Sequence, residues 1–116
     1  MPIIEVSYAP SVSEATLREL SQQLPHLVSV AVACPEEPYD RNLLPGDAEV
    51  RFRERGPFDR GGLEVTIEVR SKFFASRADN RQERVERLHR DIEQAVGLAE
   101  FGVYLSLPMA AWEQSE

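Results

Sequence analysis

The stretch 48–70, AEVRFRERGPFDRGGLEVTIEVR, decides how this chain folds. Its first part, AEVRFRE (48–54), alternates: Ala48, Val50 and Phe52 point one way, Glu49, Arg51 and Arg53 the other. Its last part, LEVTIEVR (63–70), repeats the pattern, with Leu63, Val65, Ile67 and Val69 opposite Glu64, Thr66, Glu68 and Arg70. A period of two marks strands with one face in a core. Between them RGPFDRGG is a Gly/Pro-rich turn. Sequence proximity alone makes the two strands a hairpin. Arg51 and Arg53 would then pair with Glu64 and Glu68 across the sheet, at ~0.2–1 kcal/mol per pair.

Toward the amino terminus, PEEPYDRNLLPGD (35–47) holds three prolines and reads as a loop. Before it, Leu17, Leu20, Leu24, Leu27, Val28 and Ala31 recur at helical spacing. Ser11 and Glu14 supply a capping-box pattern at the start of that helix. Pro25 removes a backbone donor inside it, which predicts a kink or two shorter helices. Residues 2–8, PIIEVSY, form a first strand that Pro10 ends. Toward the carboxyl terminus, a second helix is expected over about 78–96, with Val85, Leu88, Ile92 and Val96 as its buried stripe and Gly97 as its stop. FGVYLSL (101–107) is the last strand, followed by a tail carrying Trp112.

The order is β-α-β, turn, β-α-β in one domain, residues 1–116. The expected class is α+β, in two layers: one mixed four-stranded sheet with both helices on its apolar face. The other face is polar on the two middle strands. Rows of Arg and Glu there suit either water or the same rows from another subunit.

Composition narrows the chemistry. Twenty acidic residues against thirteen basic ones give a net charge of −7, which argues against a nucleic-acid binder. Twelve of the thirteen cations are arginine, whose planar fork suits carboxylates. One cysteine, Cys34, excludes an internal disulfide. It ends the apolar run LVSVAVAC and reads as a small buried hydrophobe. That run is far shorter than the ~20 residues of a membrane-spanning helix. The start, MPIIEVSYAP, lacks the basic region of a signal peptide, so a cytoplasmic protein without a membrane partner is expected. His26 and His89, the only histidines, do not make a metal site at helical spacing. No glycine pattern fits a phosphate or dinucleotide loop. Neither a metal nor a cofactor is expected.

One chemical feature remains. If Met1 is trimmed, Pro2 presents a free secondary amine on a rigid ring. An ordinary α-amino group titrates near ~7.7–8.0. Apolar burial and nearby arginine both disfavour its cation and lower that value. A base poised near neutrality can remove a proton beside a carbonyl.

With Met-Pro-Ile-Ile-Glu-Val at its head and a doubled β-α-β layout, the chain resembles the tautomerase superfamily. It looks most like the longer members, 5-carboxymethyl-2-hydroxymuconate isomerase and relatives of macrophage migration inhibitory factor. The residues that carry the likeness are Pro2, the Pro-interrupted helix LRELSQQLPHLVSVAVAC, the strand VRFRE, the segment LEVTIEVRSKFFASRADNRQERVERL and the closing strand FGVYLSL. The resemblance implies a homotrimer with active sites at subunit boundaries. It also implies first and third strands in the sheet centre, antiparallel, with the second and fourth outside; a ferredoxin-like sandwich is the alternative. Pro2 would be the catalytic base. Arg51 and Arg53, then Arg70 and Lys72, would hold the carboxylate of a small anionic substrate, with Phe101, Tyr104 or Trp112 beside it. The expected activity is a tautomerase or isomerase acting on a small carboxylated enol or keto acid. The decarboxylase and dehalogenase branches stay open. The rival is a catalytically silent oligomeric binding module on the same or a ferredoxin-like fold.

Overall fold

The structure, a computed structural model, describes residues 1–115, and of Asp40 the backbone alone. In chain order it contains β1 (Ile3–Tyr8), α1 (Glu14–Val32), a 3-10 turn (Pro38–Asp40), β2 (Glu49–Glu54), β3 (Val65–Arg70), α2 (Ala75–Ala78), α3 (Arg81–Val96) and β4 (Phe101–Ser106). The four strands form one mixed sheet in the order β2-β1-β3-β4. β1 runs parallel to β2 and antiparallel to β3, and β3 runs parallel to β4. The class is α+β, as the alternation requires.

This order corrects the hairpin expectation. β1 lies between β2 and β3, each registered against it over six residues. The connector, residues 55–64, therefore spans a strand instead of turning tightly. Arg51 and Arg53 consequently do not face Glu64 and Glu68. Arg51 Nε lies 3.6 Å from Glu49, and Arg53 Nη2 lies 3.1 Å from Asp59 in the connector. Each parallel pair is linked by a helical crossover, α1 between β1 and β2 and the α2–α3 segment between β3 and β4, and these two units meet through β1 and β3.

The alternating residues explain the layering. Ile4, Val6, Val65, Ile67 and Val69 are fully buried and face Leu20, Leu24 and Val28 of α1 and Leu88 and Ile92 of α3. Each such side chain contributes ~1.5–3 kcal/mol by leaving water. Leu63, expected on this face, lies before β3 and is 41% exposed. The opposite face stays open in three cross-strand rows: Glu49-Ile3-Arg70-Ser106, Arg51-Glu5-Glu68-Tyr104 and Arg53-Ser7-Thr66-Gly102.

Three local expectations change. The N-cap of α1 is Ser13, whose hydroxyl accepts from Thr16 N at 3.2 Å. Ser11 is consumed in the turn that Val12 N closes on Ala9 O at 3.0 Å. α1 also runs unbroken through Pro25. The ring is buried in the core, and its packing offsets the lost donor. The second helix begins as two pieces, α2 and α3, and ends as expected at Gly97, which adopts φ 79°. That left-handed conformation favours glycine.

Cys34 is buried just after α1. His26 Nδ1 meets Asn42 Oδ1 at 3.1 Å, and His89 stacks on Phe101 with ring centroids 4.1 Å apart. Among the described residues no group of three His, Cys, Asp or Glu could hold a metal ion. No described helix is long and apolar enough to cross a membrane.

Candidate active site

The register of the two central strands creates the site. Ile3 pairs with Arg70 at the first position of β1, so Pro2 and Met1 run alongside Ser71 and Lys72, just beyond β3. β4 leaves the sheet at the same end. Ser71 N donates to Ser106 O at 3.1 Å and Phe73 N to Pro108 O at 2.9 Å, which carries the tail across this end. The result is a cavity of about 220 Å³, with Met1, Ile3, Glu37, Arg70, Lys72 and Trp112 in its wall. Pro2 is buried between Met1 and Ile3.

Behind the wall, Glu37 belongs to a buried ion pair. Arg77 is fully buried; its Nη1 donates to Glu37 Oε1 at 3.0 Å and to Lys72 O at 2.8 Å. Its Nε donates to Val32 O at 2.7 Å. One side chain thus ties the end of α1, the exit of β3 and the Pro35–Asp47 loop to α2. Tyr39 donates its hydroxyl to the other Glu37 oxygen at 2.9 Å. Burial pushes the Glu37 carboxyl up, but the Tyr39 hydroxyl, the Arg77 guanidinium and the terminal ammonium together hold it below the usual range. The adjacent Glu36, on the surface, is also lowered by a backbone hydrogen bond and by the Ser76 hydroxyl, which donates to it at 2.9 Å.

The two cations of the wall differ. Arg70 is already engaged, 3.6 Å from Glu5 and 3.5 Å from Glu68. Lys72 has no carboxylate within 4.0 Å among the described residues; its ammonium sits 5.5 Å from the Phe74 ring centroid. Arg77 lies 5.4 Å from the same ring. Lys72 is therefore the cation with a charge left over for an anion.

Of the residues singled out from sequence, the structure gathers Arg70, Lys72 and Trp112 around one cavity at the Pro2 end. It does not bring Arg51 and Arg53 there. Arg51 registers with Glu5 and Arg53 with Ser7, farther along β1, on an edge strand of the open sheet face. Tyr104 lies on that face too, largely exposed, at the other edge. Phe101 is 95% buried on the helix side and accepts His89 Nε2 on its carbonyl at 3.3 Å, so it belongs to the core. The sequence reading missed Glu37, Tyr39 and Arg77. A usable signal existed for Arg77. With Arg84 it continues the Leu88-Ile92 stripe backwards at helical spacing, and arginine on a buried stripe has a partner inside.

No protein-family model matches the sequence, and no curated protein matches it. Solved structures do. Malonate semialdehyde decarboxylase, determined as wild type, proline-to-alanine mutant and inactivated enzyme, superimposes with a TM-score of 0.66 at 14% identity, covering 98% of this chain and 91% of that one. A fused 4-OT described as a symmetric trimer gives 0.58 at 13% identity, over 91% of this chain and 85% of that one. The macrophage migration inhibitory factor-like protein of Entamoeba histolytica gives 0.52 at 14%, with the same coverages. The chain shares the fold of these structures, and its strand order is the one that the sequence resemblance implies.

Proposed function

We propose that the protein is a tautomerase-type enzyme in which Pro2, exposed by removal of Met1, acts as a base on a small carboxylated enol or keto acid. The observation that carries this reading is the meeting of the Pro2 end of β1 with Arg70 and Lys72 around a single cavity. Met1 lines that cavity and Pro2 follows it, so loss of Met1 opens the ring nitrogen onto the space Met1 occupied.

Each residue then has a physical task. Lys72, with Arg70 behind it, holds the substrate carboxylate. The two cations and the burial of Pro2 disfavour a protonated ring nitrogen, which leaves the amine basic and unprotonated near neutral pH. The same cations stabilise the enolate oxygen as charge develops on it. Glu37 balances the pocket's positive charge while Arg77 and Tyr39 hold it in place. Pro2 takes the proton from one carbon and returns it to another, so no cofactor is required. Trp112 covers the opening. The open sheet face, with its rows of Arg and Glu, suits self-association. The trimer described for the fused 4-OT makes three copies the natural number.

The test is ketonisation of an enolpyruvate-type monocarboxylate by protein whose intact mass shows Met1 removed. Retention of Met1, or Pro2→Ala, should lower kcat/KM by ~10²–10⁴-fold, the range general base catalysis contributes. Full activity in a Met1-retaining sample rejects the mechanism. Complete inactivity of correctly trimmed, folded protein favours the silent binding module.

A further inference from the structure

A second, larger cavity of about 550 Å³ lies against the first. Met1, Tyr39 and Trp112 belong to the walls of both, so these three residues form the partition. Beyond the partition the chemistry reverses. The inner cavity carries Arg70 and Lys72; the outer one carries Asp47 and Glu113, with Asn42 and Gln114, and no Lys or Arg among its described residues.

Neither outer carboxylate is neutralised. Asp47 Oδ2 accepts from Leu44 N at 2.9 Å, and Glu113 Oε1 accepts from Gln114 N at 3.2 Å. Both partners are uncharged, and no described cation comes within ion-pair distance of either. Asn42 and Trp112 are held by His26 and Gln114 respectively. A neutral chain with hydrogen-bonding capacity suits this chamber. A second anion meets two like charges and no Lys or Arg side chain.

We propose that the site selects monocarboxylic acids: the carboxylate lies with Lys72 and Arg70, the tail passes Trp112, and Asp47 with Glu113 repels any acid group at the far end. This rests on the assignment of Lys72 and Arg70 as the carboxylate grip and refines it. With Met1 removed the partition loses one of its three members. The substrate then spans both chambers, and its central carbons lie at the Pro2 nitrogen.

Binding of unreactive acids tests this apart from catalysis. Trp112, the only tryptophan, reports occupancy through its fluorescence. The probes are hexanoate and adipate, of equal chain length and differing by one carboxylate. Hexanoate should bind the Met1-free protein at least about tenfold more tightly than adipate, since like-charge juxtaposition builds discrimination against the wrong ligand. Asp47→Asn, which can keep the Leu44 hydrogen bond, and Glu113→Gln in the exposed tail should each tighten adipate while leaving hexanoate unchanged. Lys72→Ala should weaken both acids. Adipate binding as well as hexanoate, or an unchanged ratio in both outer variants, overturns the proposal. So does failure of both acids to bind. Discrimination by a protein inert toward enol acids keeps the proposal and rejects Pro2 catalysis. Pro2-dependent turnover without discrimination does the reverse.

Discussion

The β1–β3 pair at the centre of the sheet has two ends, built from similar residues and put to opposite use. Where β1 finishes, Ala9 N donates to Glu64 O at 2.8 Å and Arg55 N to Tyr8 O at 2.9 Å. The Arg55 guanidinium then folds back, donating to Leu63 O and, at 3.1 Å, to the Thr66 hydroxyl. Gly61 packs against it; a Cβ there would lie 3.4 Å from the guanidinium. Arg53 is likewise taken by Asp59, which also accepts from Gly56 N at 2.8 Å. Where β1 begins, by contrast, a cavity opens and Lys72 faces it without a carboxylate partner. Cations satisfied by their own chain hold a connector in place. A cation left over beside a cavity keeps its charge available to an anion. Residue type does not separate the two cases; the partner does.

The sharpest way to break the contrast is to remove what holds the open end. Arg77 is buried with Glu37, and truncating one member of such a pair leaves the other charge uncompensated. Arg77→Met should cost about 3–5 kcal/mol in denaturant unfolding. It should cost less when combined with Glu37→Gln, because the stranded carboxylate is then gone. A loss below about 1 kcal/mol for the single variant would mean that this pair does not organise the open end.

The same carboxylate sets a pH dependence. Its folded pKa is below the ordinary value of 4.5, so its stabilisation is fully present above that value. As pH falls further, the unfolded chain takes up the proton first, and the contribution disappears through the folded pKa. The stability difference between the wild type and Glu37→Gln should therefore be constant near neutrality and shrink below about pH 4.5. A difference that grows with acidification reverses the sign and discards the assignment.

Legibility in the sequence follows the range of the interactions. Alternation in VRFRE and VTIEVR marks the strand faces because side-chain period is a local property, and it fails only at Leu63, before β3 begins. Gly97 likewise marks its helix end through its own backbone. The insertion of β1 between β2 and β3 is non-local. It became visible only through the whole-chain likeness that starts at Pro2. The two ends of the sheet were harder still. Arg51, Arg53, Arg55 and Arg70 all stand in or beside strands of the same alternating type, and only the three-dimensional partners distinguish them. Glu37 sits in an irregular loop where no period exists, and Arg77 in a helix of four residues, where only its spacing to Arg84 and the Leu88-Ile92 stripe of the next helix marks it.

The smallest effect on stability should come from the residue with most to do for a ligand. Arg55→Ala deletes two hydrogen bonds that fasten the closed end, at about 0.5–1.5 kcal/mol each before exposure discounts them. Lys72→Ala deletes a side chain whose one described contact is the Phe74 ring, so unfolding should move by no more than about 0.5 kcal/mol. Turnover should respond in the opposite order. Lys72→Ala should raise KM for an enol carboxylate, and Arg55→Ala should leave it unchanged. Measured together, the two variants separate a cation that serves the fold from one that serves the site. Equal KM values for both would place the carboxylate elsewhere, with Arg51 and Arg53 on the open sheet face the next residues to change.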